Sequence, residues 1–170
     1  MKEPPEDVVA LDVDPGVSGI FAWRNVIFIF VSAAPGPTSL PRLVSACAAM
    51  RERSPGGGSC VFVIRANAGR PDSAMRSGVL RIEQEYSEWL GGVGVVIGGS
   101  GFWASAMRSV ATAMRVASSR KYDMRLFASA QEVAEWLPAV QIKRTGVSLE
   151  PAQLLAALQR ADALELAALQ

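Results

Sequence analysis

The chain contains no histidine. That removes the side chain that most often serves as general base, zinc ligand and partner of a nucleophilic Ser or Cys, and it excludes every hydrolase triad built on His. Cysteine is almost as scarce. Cys47 and Cys60 are the only two, and both stand among apolar neighbours. This setting suits buried free thiols in a reducing cytoplasm, although sequence alone leaves a disulfide between them open. Lysine is the third shortage, with three against fourteen arginines. In a chain rich in Ala, Gly and Val, that bias reflects a GC-rich coding sequence rather than a need for guanidinium. Net charge is small as well: a formal +1 gives no general drive towards nucleic acid or membrane.

What is present is apolar residue. Half of the 170 residues are hydrophobic, enough to bury a substantial core in one domain with an appendage. Residues 1–16 form an acidic, proline-bearing leader, either flexible or a short edge strand, unlike a secretory signal. The uncharged stretch that comes nearest to a membrane span is Trp89 to Met107. Six of its residues are glycine and it divides into strand, turn and helix start, so no membrane span is expected.

The organising stretch is Val93 to Ala117: an apolar strand, the loop Gly98-Gly99-Ser100-Gly101, and a helical pattern opening at Phe102. Before it, Val17 to Trp23 and Val26 to Val31 read as a hairpin turned at Arg24-Asn25, where Asn tolerates positive φ. Thr38 or Ser39 can cap a helix carrying Leu40, Leu43, Val44, Cys47 and Met50 at helical spacing. Cys60 to Ile64 is an uninterrupted apolar strand, as expected at the centre of a doubly covered sheet. Asp72 or Ser73 then caps a helix striped by Met75, Val79, Ile82, Tyr86 and Trp89, which Gly91-Gly92 ends. A turn at Ser118 to Lys121 and a strand from Met124 to Phe127 follow. A capping box, Ser129 with Glu132, opens a short helix that stops at Pro138. Residues 139–170 read as a linker and a helix from about Glu150, with Pro151 in its first turn. Asp162 and Glu165 interrupt that helix's apolar face, leaving docking on its own domain, homo-oligomer formation and partner binding open.

Three groups carry chemistry. Gly99-Ser100-Gly101-Phe102-Trp103-Ala104 has the form G-x-G-x-x-A between strand and helix, a place where backbone donors and the helix dipole receive anions. The acid that a dinucleotide site needs at the end of the next strand is missing, since Asp123 precedes that strand and Ser129 follows it. A tight turn with close helix packing is the leading reading of these glycines, and Gly99, Ser100 and Gly101 are a candidate anion site only beside it. Asp72, Ser73 and Arg76 form the second group. Either Asp72 or Ser73 caps the helix, or Ser73 is a phosphorylation site at a helix N-terminus, with Arg70 and Arg76 near enough to pair with the phosphate. The third, Arg108 and Arg115, shares a helix face with Ser105 and Thr112 and reads as solvated. No exposed aromatics are interleaved with these charges, so nucleic acid is not an expected partner. Asp12 with Asp14 lies in the leader, and Glu83, Glu85 and Glu88 fall on a wet helix side, so neither set makes a metal site or a catalytic carboxylate pair. No catalytic residue, metal or cofactor is expected.

The order of elements, from a β-hairpin through alternating helices and strands to a closing helix, resembles the STAS family, named for sulfate transporters and anti-sigma factor antagonists. The resemblance spans Val17 to Leu137. Asp72-Ser73-Ala74-Met75 stands where many members carry Asp-Ser-Ser-Gly, with Ser as the phosphorylation site. It implies an α/β domain over residues 17–138 with a mixed sheet of about five strands and about four helices, plus the appended C-terminal helix. It also implies a non-enzymatic, cytoplasmic signalling module that acts through protein–protein interaction. The alternative is a carrier of a nucleotide, lipid or other anionic metabolite, using Gly98 to Gly101.

Overall fold

The computed structural model of the chain describes residues 7–66, 68–117 and 121–168. Residues 1–6 of the leader, Asn67, the turn at 118–120 and Leu169 lie outside the described residues. Six strands form one sheet in the order of the sequence: β1 (Val9–Asp14), β2 (Ser18–Trp23), β3 (Val26–Val31), β4 (Gly58–Ile64), β5 (Leu90–Ile97) and β6 (Asp123–Phe127). β1, β2 and β3 are antiparallel neighbours, whereas β3 to β6 run parallel. Between the parallel strands lie α1 (Ser39–Arg53), α2 (Ser73–Glu85) and α3 (Phe102–Ala117). After β6 come α4 (Ala130–Thr145) and α5 (Pro151–Ala167).

The α/β class and the opening hairpin follow the sequence pattern. The sixth strand is the leader's contribution, because β1 adds to the edge of β2 as a short strand instead of hanging free. Asp12 and Asp14 are consequently not mobile: Nε of Arg42 on α1 lies 2.6 Å from Asp12 Oδ2, and Nη1 lies 2.6 Å from Asp14 Oδ2. The hydrogen bond to Asp12 is the main reason that the Arg42 pKa is raised.

Strand alternation sends successive side chains to opposite faces. Ile20, Ala22, Ile27, Ile29, Cys60, Val93, Val95 and Ile97 meet α1, α2 and α3, while Phe21, Trp23, Phe28, Phe30, Val61 and Val96 meet α4 and α5. Three crossovers stepping in one direction across a parallel sheet leave their helices on one face, since such connections share a hand. The opposite face would be bare without α4 and α5. Leu154, Ala157, Leu158 and Ala161 of α5 are buried there, so the C-terminal helix docks on its own domain.

Several local expectations are corrected. At the hairpin, positive φ falls on Arg24 (φ 50). Asn25 is instead buried: its side chain donates to Gly57 O at 3.1 Å and accepts from Gln141 Nε2 at 2.5 Å, tying the hairpin to α4. Thr38 occupies the cap position of α1 without a side-chain cap bond, and Ser39 Oγ accepts from the Gly36 N–H. α2 ends before Gly91 and Gly92, which lie inside β5. α4 runs through Pro138 to Thr145. Proline removes one helical donor, but burial of Leu137 and Gln141 on either side outweighs that loss, and Gly146 ends the helix in the left-handed conformation. Of the expected capping box the Ser129 half forms, its Oγ accepting from Glu132 N–H, whereas the Glu132 carboxylate accepts from the N–H of Ala128, one residue before the cap. No helix among the described residues is long and apolar enough to cross a membrane.

Candidate functional site

Ligands of open α/β sheets gather beyond the carboxyl ends of the parallel strands, where loops and helix N-termini converge. Here Ser32 follows β3, Arg65 follows β4, and Gly98 to Gly101 follow β5. α2 also begins at this edge. Its cap is Asp72, in extended backbone conformation, with Oδ1 accepting from the Met75 N–H at 2.7 Å. Ser73, the first helical residue, is exposed, and its hydroxyl makes no hydrogen bond to another described residue. Arg76 Nη1 donates to Pro71 O at 2.8 Å, which fastens the approach to the helix, and Arg70 is exposed nearby in the chain.

The Gly98 to Gly101 loop stands separately at the start of α3. Gly99 and Gly101 have φ of +85° and +89°, so the backbone alone accounts for two glycines there. Gly99, Ser100 and Gly101 are exposed, and no hydrogen bond or ion pair among the described residues joins them to Asp72, Ser73 or Arg76. Arg108, expected on a solvated face, turns back towards the sheet and its Nη2 lies 3.4 Å from Ile97 O. The side chains of Trp103 and Arg115 lie outside the described residues.

The strongest polar cluster at this edge escaped the sequence reading. Arg65 Nη2 lies 2.7 Å from both Glu165 Oε2 and Asp162 Oδ1 of α5, and Ser32 Oγ donates to Glu165 Oε1 at 2.6 Å. The Glu165 side chain is 2% exposed. Burial works to lower the Arg65 pKa, but hydrogen bonding to Glu165 and the nearby acidic charges outweigh it, so the net shift is upward. This cluster clamps α5 to the ends of β3 and β4. Its only trace in the sequence was the pair of acids interrupting an apolar helix face.

Other charges are also placed differently from their helical pattern. Glu83 is buried, whereas Glu88 is exposed and paired with Lys121, whose hydrogen bond holds the carboxyl below its usual range. Cys47 and Cys60 are buried free thiols. Burial pushes Cys47 up to about 12 and Cys60 well above its usual value, which keeps both in the unreactive protonated form. Among the described residues, no group of three or more Cys, Asp or Glu is placed to hold a metal ion. No protein-family model matches this chain, and no curated protein matches it significantly.

Proposed function

We propose that the chain is a non-enzymatic regulatory module of the STAS-like type, cytoplasmic, which binds a protein partner at the start of α2 and is switched by phosphorylation of Ser73. The observation that carries this reading is the division of labour at that helix start. Asp72 performs the capping, which leaves the Ser73 hydroxyl exposed and unused. A phosphate on Ser73 would meet the positive end of the helix dipole and add about two negative charges to the docking surface, with Arg70 and Arg76 available to it. The sheet adds support, since a mixed sheet that opens with a β-hairpin is what the STAS resemblance implies.

The test is affinity purification of the tagged chain from its native cell, with mass spectrometry of co-purifying proteins and modified peptides. A stoichiometric partner retained by Ser73→Ala and lost or exchanged in Ser73→Asp supports the proposal. Identical partners for both variants, with Ser73 unmodified in the wild type, would overturn it. The second reading, an anion carrier at Gly98 to Gly101, draws on the exposed backbone at the start of α3. A thermal shift with a nucleotide that Ser100→Asp abolishes would favour that reading instead.

A further inference from the structure

The face that carries α1, α2 and α3 is not closed. A cavity of about 160 Å³ lies between these helices and the sheet, bounded by Pro35, Gly69 and Pro71 at the carboxyl edge of the parallel strands. We infer that this cavity is a binding site for a small, neutral, apolar molecule, the size of one aromatic ring or a short alkyl chain. Three observations carry the inference, and none depends on the partner reading of Ser73.

The first is size. Natural interiors rarely keep voids larger than a water molecule, because the lining atoms lose dispersion contacts. An apolar void of about 150 Å³ stays dry and binds benzene, and the present cavity is of that order.

The second is chemistry. Four of the chain's six methionines, Met75, Met107, Met114 and Met124, line the cavity. Methionine is unbranched and polarizable, and it adapts its shape to an apolar guest better than a branched side chain does. Phe62 and Val95 of the central strands complete the apolar floor.

The third is charge. Among the described residues, Arg76 and Glu83 are the two ionisable side chains of the lining. They stand seven residues apart on α2, two turns along one helix face, and they are of opposite sign. A carboxylate guest would be drawn to Arg76 and repelled by Glu83, and an ammonium guest the reverse. Either would also be stripped of water between apolar walls, which disfavours an ionised ligand.

The test uses the full chain with 13C-labelled methionine methyl groups, titrated with toluene. The four cavity methionines should shift saturably, with a dissociation constant in the millimolar range or below. Met50 serves as internal control, because it is fully buried in the core of the same face and does not line the cavity. Ala111→Phe, which fills the cavity from α3, should weaken toluene at least tenfold; should that variant fail to fold, Val79→Phe fills it from α2. Absence of a saturable shift up to the solubility of toluene, or an equal shift at Met50, would overturn the site. Phenylacetate or phenethylamine binding as tightly as toluene would overturn the assignment of a neutral ligand.

Discussion

α4 rests so closely on β5 that a Cβ at Gly94 would collide with Cγ2 of Val133, whereas on the other side of the same sheet α2 and α3 leave a cavity of about 160 Å³. The closed face is held by large, fully buried side chains, Phe21, Phe28, Phe30, Leu137 and Leu154, and by the Arg65, Asp162 and Glu165 cluster. The open face carries adaptable methionines and the helix whose first turn presents Ser73. Both faces have a buried core, but only the one under α1, α2 and α3 also keeps a void. The difference predicts unequal costs for truncating side chains. Leu137→Ala should destabilise by about 4 kcal/mol, because the tightly packed surroundings cannot collapse into the space. Val79→Ala, which enlarges an existing void, should cost about 1 kcal/mol. Urea unfolding with an unchanged slope against denaturant would measure both. Equal costs would remove the contrast between the faces.

The open face is itself divided. Cys47 and Cys60 belong to its core but not to the cavity lining. Both thiols titrate higher in the folded chain than in the unfolded one, chiefly through burial. As pH rises past the ordinary thiol value of 9.0, the unfolded chain releases protons that the folded chain retains. Stability is therefore complete below pH 9 and falls between pH 9 and about 12 for Cys47, with Cys60 adding in the same direction. The slope approaches about 1.4 kcal/mol per pH unit for each thiol. Unfolding curves at pH 8 and pH 10 should show the loss, and a Cys47→Ala, Cys60→Ala double variant should flatten it. A thiol reagent that modifies the folded protein at pH 8 would mean that the opening extends under α1.

The two faces were not equally legible in the sequence. Unbroken β-rich apolar runs at Val26–Val31 and Cys60–Ile64 and helical spacing along Leu43–Met50 located the central strands and α1, because each pattern is local. The capping box at Ser129 and Glu132 located the start of α4 for the same reason. Long-range pairing was hidden. Asp12 and Asp14 resembled a mobile leader because their partner, Arg42, lies about thirty residues further on. Pro138 resembled a helix stop because the burial that carries α4 through it comes from the sheet. Glu165 resembled a flaw in an apolar stripe because Arg65 is a hundred residues earlier in the chain. The cavity has no sequence signal at all beyond a concentration of methionine, since a void is a property of how elements meet. In the candidate site, Asp72 and Ser73 were legible as a pair, but their separate roles were not, because either residue type caps a helix equally well.

That last ambiguity gives the smallest expected effect. Asp72 Oδ1 holds the Met75 N–H at 2.7 Å, while Ser73 lies inside the helix with its side chain in solvent. Asp72→Ala should cost about 1 kcal/mol, the usual value of a lost cap, and Ser73→Ala should stay within about 0.5 kcal/mol, as at an ordinary surface position. Thermal unfolding separates them, since about 1 kcal/mol moves the midpoint by roughly 3 °C in a chain of this size. If Ser73→Ala proved as costly as Asp72→Ala, the hydroxyl would be part of the cap, and phosphorylation would then disturb the helix rather than decorate its surface. If Ser73→Ala is silent, the hydroxyl has no part in the cap, and any change that Ser73→Asp makes in binding of the proposed partner is a change in the surface at the start of α2 rather than in the fold.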